Sequence, residues 1–362
     1  MTLLSTFIIA EAGVNHNGER ARAVAMVKAA AEAGADAIKF QSFKAEKIAT
    51  ALASKANYQA RNTGASGGQI EMLKALELSD DDFQHLFGVC QDAGIEFIST
   101  PFDVDSVGFL ANTIGVRRLK IASGEITNAP LLLDMARTGL PIILSTGMSA
   151  FDDIEAALGI LAFGYTLVSE APSLGQFKKS FLSDSGQAAL RSNVTILHCT
   201  SEYPAPPETI NLRAMTALAK KFNLPVGISD HSAGIVVATA AAGLGACVIE
   251  KHFTLDNSLS GPDHRASLKP AELTEMILAI RTVERALGSD KKAPVESEIE
   301  TRKVARRSLV SLRPIAKGEV FNSTNLGAKR PGTGVSPLSY WSYIGRRATR
   351  DYTPDELIDS HD

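Results

Sequence analysis

Cysteine is scarce in this chain, with three in 362 residues, Cys90, Cys199 and Cys247. All three sit inside apolar segments without metal-like spacing, which points to buried thiols in a reducing compartment. A basic start is also missing. The opening MTLLSTFIIAEAG runs straight into Glu11, and the main uncharged apolar run, residues 235–249, is short for a membrane span and broken by GLG. No export or membrane insertion is expected, which places the protein in the cytoplasm. Charge of one sign is lacking overall, at a net −3, but residues 301–350 hold eleven Lys or Arg against one acidic residue, Glu319. The aromatic interleaving and basic helix of a nucleic-acid-binding surface are absent there. The basic stretch therefore reads as a module that docks onto acidic protein or helps to hold an anionic substrate. No GxGxxG turn follows the first strand pattern, which argues against a dinucleotide-binding fold.

What is present is a repeated β-branched run followed by a helical pattern. The candidate strands are FIIAEAG, AIKFQSF, IEFISTPF, RLKIASG, PIILSTG, VTILHCT, PVGISDHS and ACVIEKHF. Glycines precede several of them, where a left-handed residue would end a helix and turn the chain into the next strand. Eight such units over about 280 residues predict an α/β fold of the (β/α)8 TIM-barrel type. The expected organisation is a barrel over 1–287, a polar linker over 288–303, and a small β-rich domain over 304–362.

Two connections are long. Residues 44–79 follow the second strand, so they belong on the C-terminal face where barrel active sites form, and TGASGG at 63–68 suggests a mobile lid. Residues 163–192 follow a helix and precede the sixth strand, on the opposite face. Their polar, Ser-rich composition predicts a partly disordered insertion, with an interface role as the alternative.

Polar residues cluster at the C-terminal ends of the strands. Alternation puts Gly227, Ser229 and His231 on one face of strand seven and Glu250 with His252 on one face of strand eight. Two imidazoles on adjacent strands suit a catalytic divalent ion. His198 reads instead as a packed core histidine. Lys39 and Gln41 share a face of strand two, and Lys120 precedes IASGE. A buried lysine must be paired or hold an anion. Pairing with Glu11, Glu125 or Glu250 is one account, and a cradle for phosphate and carboxylate with Thr100, Ser123 and Ser229 is the other. Lys120 could also serve as a Schiff-base lysine.

The run FIIAEAGVNHNG, then KFQSFKA, STPF, KIASGEITN, ILSTGM, LHCTSEYPAP, GISDHS, IEKHFTLD and GPDH resembles the sialic acid synthase (N-acetylneuraminate synthase) family, legionaminate-type synthases included. The resemblance spans nearly the whole barrel. The ending from AKGEVF to KRPGTG resembles that family's antifreeze-like (SAF) domain. It implies condensation of phosphoenolpyruvate with an open-chain N-acetylated amino sugar, N-acetylmannosamine or a 2,4-diacetamido-trideoxymannose, to give a 2-keto acid and phosphate.

By the same resemblance His231 and His252 match ligands of Mn²⁺ or Mg²⁺, and Lys39, Thr100, Lys120, Ser123 and Ser229 would hold phosphoenolpyruvate. Glu11, Gln41, Tyr203 and Asp263 would face the sugar, and Glu11, Glu125 and Glu250 are candidates for catalytic proton transfer. Ser201 stands where the family pattern has an Asn that contacts phosphate. Arg330 matches an arginine supplied by a partner's C-terminal domain in a domain-swapped homodimer. The rivals are a related 3-deoxy-aldulosonate synthase and a non-catalytic protein that binds glycan or ice.

Overall fold

The structure, a computed structural model, describes residues 5–63 and 68–362. The chain divides into two units, Met1–Gly288 and Ser289–Asp362. No helix among the described residues is long and apolar enough to cross a membrane.

In the first unit the strands are β1 (Phe7–Gly13), β2 (Ala37–Ser42), β3 (Glu96–Pro101), β4 (Leu119–Ile121), β5 (Ile142–Ser145), β6 (Val194–Cys199), β7 (Val226–Asp230) and β8 (Val248–His252). They form one parallel sheet in the order β3-β2-β1-β8-β7-β6-β5-β4. The two ends of that order, β3 and β4, lie side by side and bring the sheet to a nearly closed barrel. The expected TIM-type barrel is what forms. Helices connect the strands, and the predicted glycine turns are real: Gly94 caps helix Asp80–Ala93 in the left-handed conformation, just before β3.

Alternation sorts the strand residues into two cores. Outward side chains such as Ile8, Ala10, Ile38 and Phe40 pack against the helices. Inward ones close the barrel floor with Ile9, Ala37, Ile98, Ile143, Leu197 and Val248. Each fully buried Ile or Leu here contributes roughly 1.5–3 kcal/mol. The floor leaves no room at Gly227, where a Cβ would lie 2.1 Å from the Val248 carbonyl oxygen. Two residues further along each strand the inward positions turn polar, and that change positions the site.

The long connection after β2 carries the short helices Ala45–Ile48, Asn57–Thr63 and Gln69–Lys74. Ile48, Met72 and Leu73 from this segment pack with Val14, Phe43, Leu76 and Phe102. Most of the predicted glycine-rich lid, residues 64–67, lies outside the described residues.

The expected partly disordered insertion over 163–192 is instead folded. Helix Phe151–Thr166 is followed by helices Leu174–Leu182 and Asp184–Asn193, the last leading directly into β6. Its serines are helix caps: Ser173 Oγ accepts from the Gln176 amide at 3.3 Å and Ser183 Oγ from the Gly186 amide at 3.0 Å. Phe177 meets Phe163 edge to face at 5.2 Å, and Leu190 is buried.

In the second unit β9 (Ser308–Ser311) pairs antiparallel with β10 (Leu326–Lys329) beside a small core that includes Leu309, Phe321 and Tyr352. The stretch read as a linker, 288–303, is partly helical: helix Glu296–Ala305 starts within it and runs past its expected end. Its acidic first turn and basic last turn complement the helix dipole, and it is exposed along its length, which is why its composition reads as linker.

Candidate active site

Above the barrel floor, β1, β2, β3, β4, β7 and β8 each contribute one inward polar side chain to a common layer. Glu11 lies opposite Lys39 in the β1–β2 register, and Ser229 opposite Glu250 in the β7–β8 register. Lys39 Nζ is 2.7 Å from Glu11 Oε2, 3.8 Å from Glu250 Oε2, and donates to Thr100 Oγ1 at 3.1 Å. The contact with Glu11 is close in distance but not aligned, so Glu11 Oε2 has no hydrogen-bond partner, nor has Glu250 Oε2. Lys120 Nζ is 3.7 Å from Glu250 Oε1 and donates to Ser145 Oγ at 2.7 Å and to the Ile121 carbonyl at 3.0 Å. Ser229 Oγ donates to Glu250 Oε1 at 2.8 Å.

All four charged groups are buried, and their protonation follows from their neighbours. Burial pushes the Glu11 carboxyl up, against the pull of Lys39 and with a push from Glu250. Burial also penalises ionised Glu250, but Lys120, Lys39 and the Ser229 hydrogen bond outweigh it and hold that carboxyl below its ordinary value. Lys39, desolvated yet flanked by Glu11 and Glu250, is raised, while burial brings Lys120 down. Glu11 is thus the carboxyl of the cluster closest to carrying a proton. When it does, two lysines face one carboxylate and the layer has an excess positive charge.

Above this layer the His231 and His252 rings lie 5.2 Å apart, centroid to centroid. Tyr203 covers His231 at 4.2 Å and meets His252 edge-on at 5.5 Å. His231 Nδ1 donates to the Thr200 carbonyl at 2.8 Å and its Nε2 lies 3.4 Å from Ser229 Oγ; burial disfavours the imidazolium, but Cys199 and the Thr200 bond outweigh it and raise that imidazole above its ordinary value. Burial first, then His231, holds the His252 imidazole well below its ordinary value, so it is neutral, and its Nδ1 has no hydrogen-bond partner. Asp263 Oδ1 is likewise buried and unpartnered, and burial pushes that carboxyl up to about 6 despite His231. The unpartnered His252 nitrogen, the His231 ring beside it and the underused Asp263 carboxyl are the groups that could hold a divalent ion with open positions. Among the described residues no group of three or more His, Cys, Asp or Glu is arranged around one point.

These groups share one cavity of about 500 Å³. Of the residues singled out in the sequence, Glu11, Lys39, Gln41, Thr100, Lys120, Ser123, Ser201, Tyr203, Ser229, His231, Glu250, His252 and Asp263 line it. Glu125 does not, and its carboxylate accepts from Asn128 Nδ2 at 2.7 Å. Arg330 belongs to the second unit, where its Nε donates to the Ala305 carbonyl at 3.1 Å. His198 points out of the barrel to the Ile210 carbonyl, in keeping with its reading as a packed core residue.

Sequence reasoning missed Ser145, the partner of Lys120, although the alternation that placed Ser229 would have placed it too. It also missed the part of the cavity lining that includes Ile48, Gln59, Gln69, Met72, Leu73 and Leu76. That part comes from a long connection with no periodicity to read.

A family model described as the NeuB family matches residues 26–292, and one for the SAF domain matches residues 306–362. The chain is 44% identical to the N,N'-diacetyllegionaminic acid synthase of Campylobacter jejuni, over 98% of each chain. It is 45% identical to the enzyme of the same name from Legionella pneumophila, over 95% of this chain and 90% of that one. Among solved structures, the N-acetylneuraminic acid (sialic acid) synthetase of Leptospira borgpetersenii superposes with a TM-score of 0.67 at 35% identity, covering 83% of this chain and 90% of the other. With a barrel of this topology, this arrangement of strand-end residues and these matches along almost its whole length, the chain belongs to the NeuB family.

Proposed function

We propose that the chain is a nonulosonic acid synthase that joins C3 of phosphoenolpyruvate to the aldehyde carbon of an open-chain N-acetylated amino sugar and releases phosphate. The observation that carries this reading is one cavity lined by two buried lysines and by a neighbouring pair of buried histidines. Lys39 and Lys120, with Thr100, Ser123 and Ser229, are the groups for phosphate and carboxylate, and a protonated Glu11 leaves them the surplus charge to hold an anion. Serine at 201 is short for the phosphate contact that the family's asparagine makes, so that contact falls to the lysines and hydroxyls.

The enol carbon attacks the aldehyde, whose oxygen takes up a proton. Water then adds at C2 of the resulting cation and gives up one proton, and the C2–O bond to phosphate breaks as the C2 hydroxyl passes its remaining proton to the departing phosphate, which leaves a 2-keto acid. Glu11 and Glu250, facing this space from β1 and β8, are the carboxyls for those proton movements. A divalent ion, Mn²⁺ or Mg²⁺, held by His231 and His252 would supply Lewis acidity to the aldehyde oxygen.

The identity to the two legionaminic acid synthases favours a 2,4-diacetamido-2,4,6-trideoxymannose over N-acetylmannosamine. The wall formed by Ile48, Gln59, Gln69, Met72, Leu73 and Leu76 supports the same choice, because it is uncharged. Apolar surface interrupted by side-chain amides suits acetamido and methyl groups and offers no cation to a sugar phosphate, which argues against the 3-deoxy-aldulosonate synthase reading. We further propose a homodimer in which each SAF domain lends Arg330 to its partner's sugar site, a reading supported by the basic charge of residues 301–350.

The test is phosphate release and 2-keto acid formation from phosphoenolpyruvate with each sugar, with Mn²⁺ and then with chelator. Release with the diacetamido sugar that stops on chelation is expected. No release with either sugar sinks the synthase reading, and release that persists without metal sinks only the ion.

A further inference from the structure

The residues immediately before the two histidines, Asp230 and Lys251, point the opposite way from the strands, out of the cavity. They are cross-strand partners in the β7–β8 register, and both side chains are 0% exposed. Lys251 Nζ donates to Asp230 Oδ2 at 2.8 Å, to the Ser232 carbonyl at 2.6 Å and to Ser232 Oγ at 3.4 Å. Asp230 Oδ1 accepts from the Ser232 amide at 2.8 Å. His231 is therefore held between two anchored neighbours, 230 and 232, and both anchors run to the residue that precedes His252. Two further bonds hold the same backbones: the Ala205 amide donates to the His231 carbonyl at 2.9 Å and the Leu268 amide to the His252 carbonyl at 2.8 Å.

A fully buried ion pair is a poor way to gain stability. Taking each ion out of water costs several kcal/mol, and a well-packed apolar pair of similar volume does as well or better. What an apolar pair lacks is direction. An ammonium with fixed donors, shared between one carboxylate and one carbonyl, locks the relative height of two strands in a way that interchangeable methyl contacts do not.

We infer that the Asp230–Lys251 pair is a positioning device which sets the separation and aim of His231 and His252. Its removal costs ion binding and turnover even where the fold is intact. The inference rests on reading the histidines as an ion-binding pair.

The test compares the full-length wild type with the double variant Asp230→Leu/Lys251→Met in three measurements. The first is the Mn²⁺ dissociation constant by titration, the second is phosphate release resolved into kcat and KM, and the third is a crystal structure of the metal-free protein. The variant is expected to fold with a somewhat lower melting temperature, because the apolar pair removes both buried charges but leaves the Ser232 amide and carbonyl without their partners. Its Mn²⁺ affinity should fall about 10- to 100-fold, as when the supports of metal ligands are lost. Turnover should fall with it, while KM for phosphoenolpyruvate, whose two lysines stand on β2 and β4, stays within about twofold. In the metal-free crystal the ring separation should depart from 5.2 Å by about 1 Å, a displacement that matters at an active site. A folded double variant with unchanged ring geometry and unchanged Mn²⁺ affinity overturns the inference. If the wild type binds no Mn²⁺, the ion-pair reading of the histidines fails, and the ring separation alone decides whether the clamp exists. If the double variant does not fold, Asp230→Asn, which keeps an acceptor for the Ser232 amide, takes its place. Wild-type Mn²⁺ affinity in that variant overturns the inference equally.

Discussion

Two buried lysine–carboxylate pairs sit on opposite sides of the same sheet, and they are completed differently. Behind the strands, Lys251 makes three hydrogen bonds and both Asp230 oxygens accept one. In front of them, Lys39 approaches Glu11 and Glu250 while an oxygen of each carboxylate goes without a hydrogen bond. A saturated pair has nothing left to offer a ligand and serves geometry. An unsaturated pair stays costly until something else arrives, and the cavity above it is where that something fits.

Removing one ammonium from each side separates the two pairs by their effects. Lys39→Met should lower turnover about a thousandfold, ~4 kcal/mol of activation free energy, with little change in melting temperature, because Glu11 can take a proton in compensation. Phosphate release and a melting curve on the same sample check it, and a variant that keeps wild-type turnover erases the contrast. Lys251→Met should do the reverse to stability. It leaves Asp230 buried without its counter-ion and should cost about 3–5 kcal/mol of unfolding free energy in urea. A loss below about 1 kcal/mol would mean that the rear pair is no more committed than a surface one.

Asp263 adds a pH dependence to the front of the sheet. Burial lifts its carboxyl from an ordinary 3.8 to about 6 in the folded protein, so folding favours the protonated form. This group therefore supports the native state fully below pH 3.8 and loses that support as pH rises through about 6. A rise of that size is worth about 3 kcal/mol, so Asp263→Asn should stabilise the protein by up to that amount at about pH 8 and little at about pH 4. Equal effects at both pH values, in urea titrations, would show that the carboxyl is already satisfied. The smallest effect is expected far from the chemistry: Ser183→Ala should cost about 1 kcal/mol of stability by uncapping helix Asp184–Asn193, with turnover unchanged. A drop in turnover with stability intact would tie the 174–193 helices to the site.

Strand alternation makes most of the site legible in the amino-acid order alone. Once SDH and EKH are read as strand ends, Ser229 with His231 and Glu250 with His252 must share an inward face, and one more step of the same rule adds Ser145. Glu125 misleads because KIASGE continues past the strand: β4 ends at Ile121 and the chain turns through a short 3-10 segment, where alternation no longer predicts direction. Serine misleads in a different way. Ser173 and Ser183 count toward a disordered composition, yet each sits one residue before a helix and supplies the oxygen that its first turn lacks. Composition averages over positions, and capping depends on a single one. The wall carrying Gln59, Gln69 and Met72 is not legible, because three short helices in one connection leave no period long enough to detect.

The register that pairs Asp230 with Lys251 also bears on transplanting this chemistry into another barrel. Grafting two histidines onto neighbouring strands copies only the visible half of the arrangement. The portable unit is a pair of dipeptides, Asp230-His231 and Lys251-His252, and a recipient scaffold must have space for a charge pair beneath its helices as well as an opening above its strands. Mutational drift is constrained in the same way: a change at either hidden position is felt by the histidine beside it, and exchanging both for an apolar pair removes the directional hold as well.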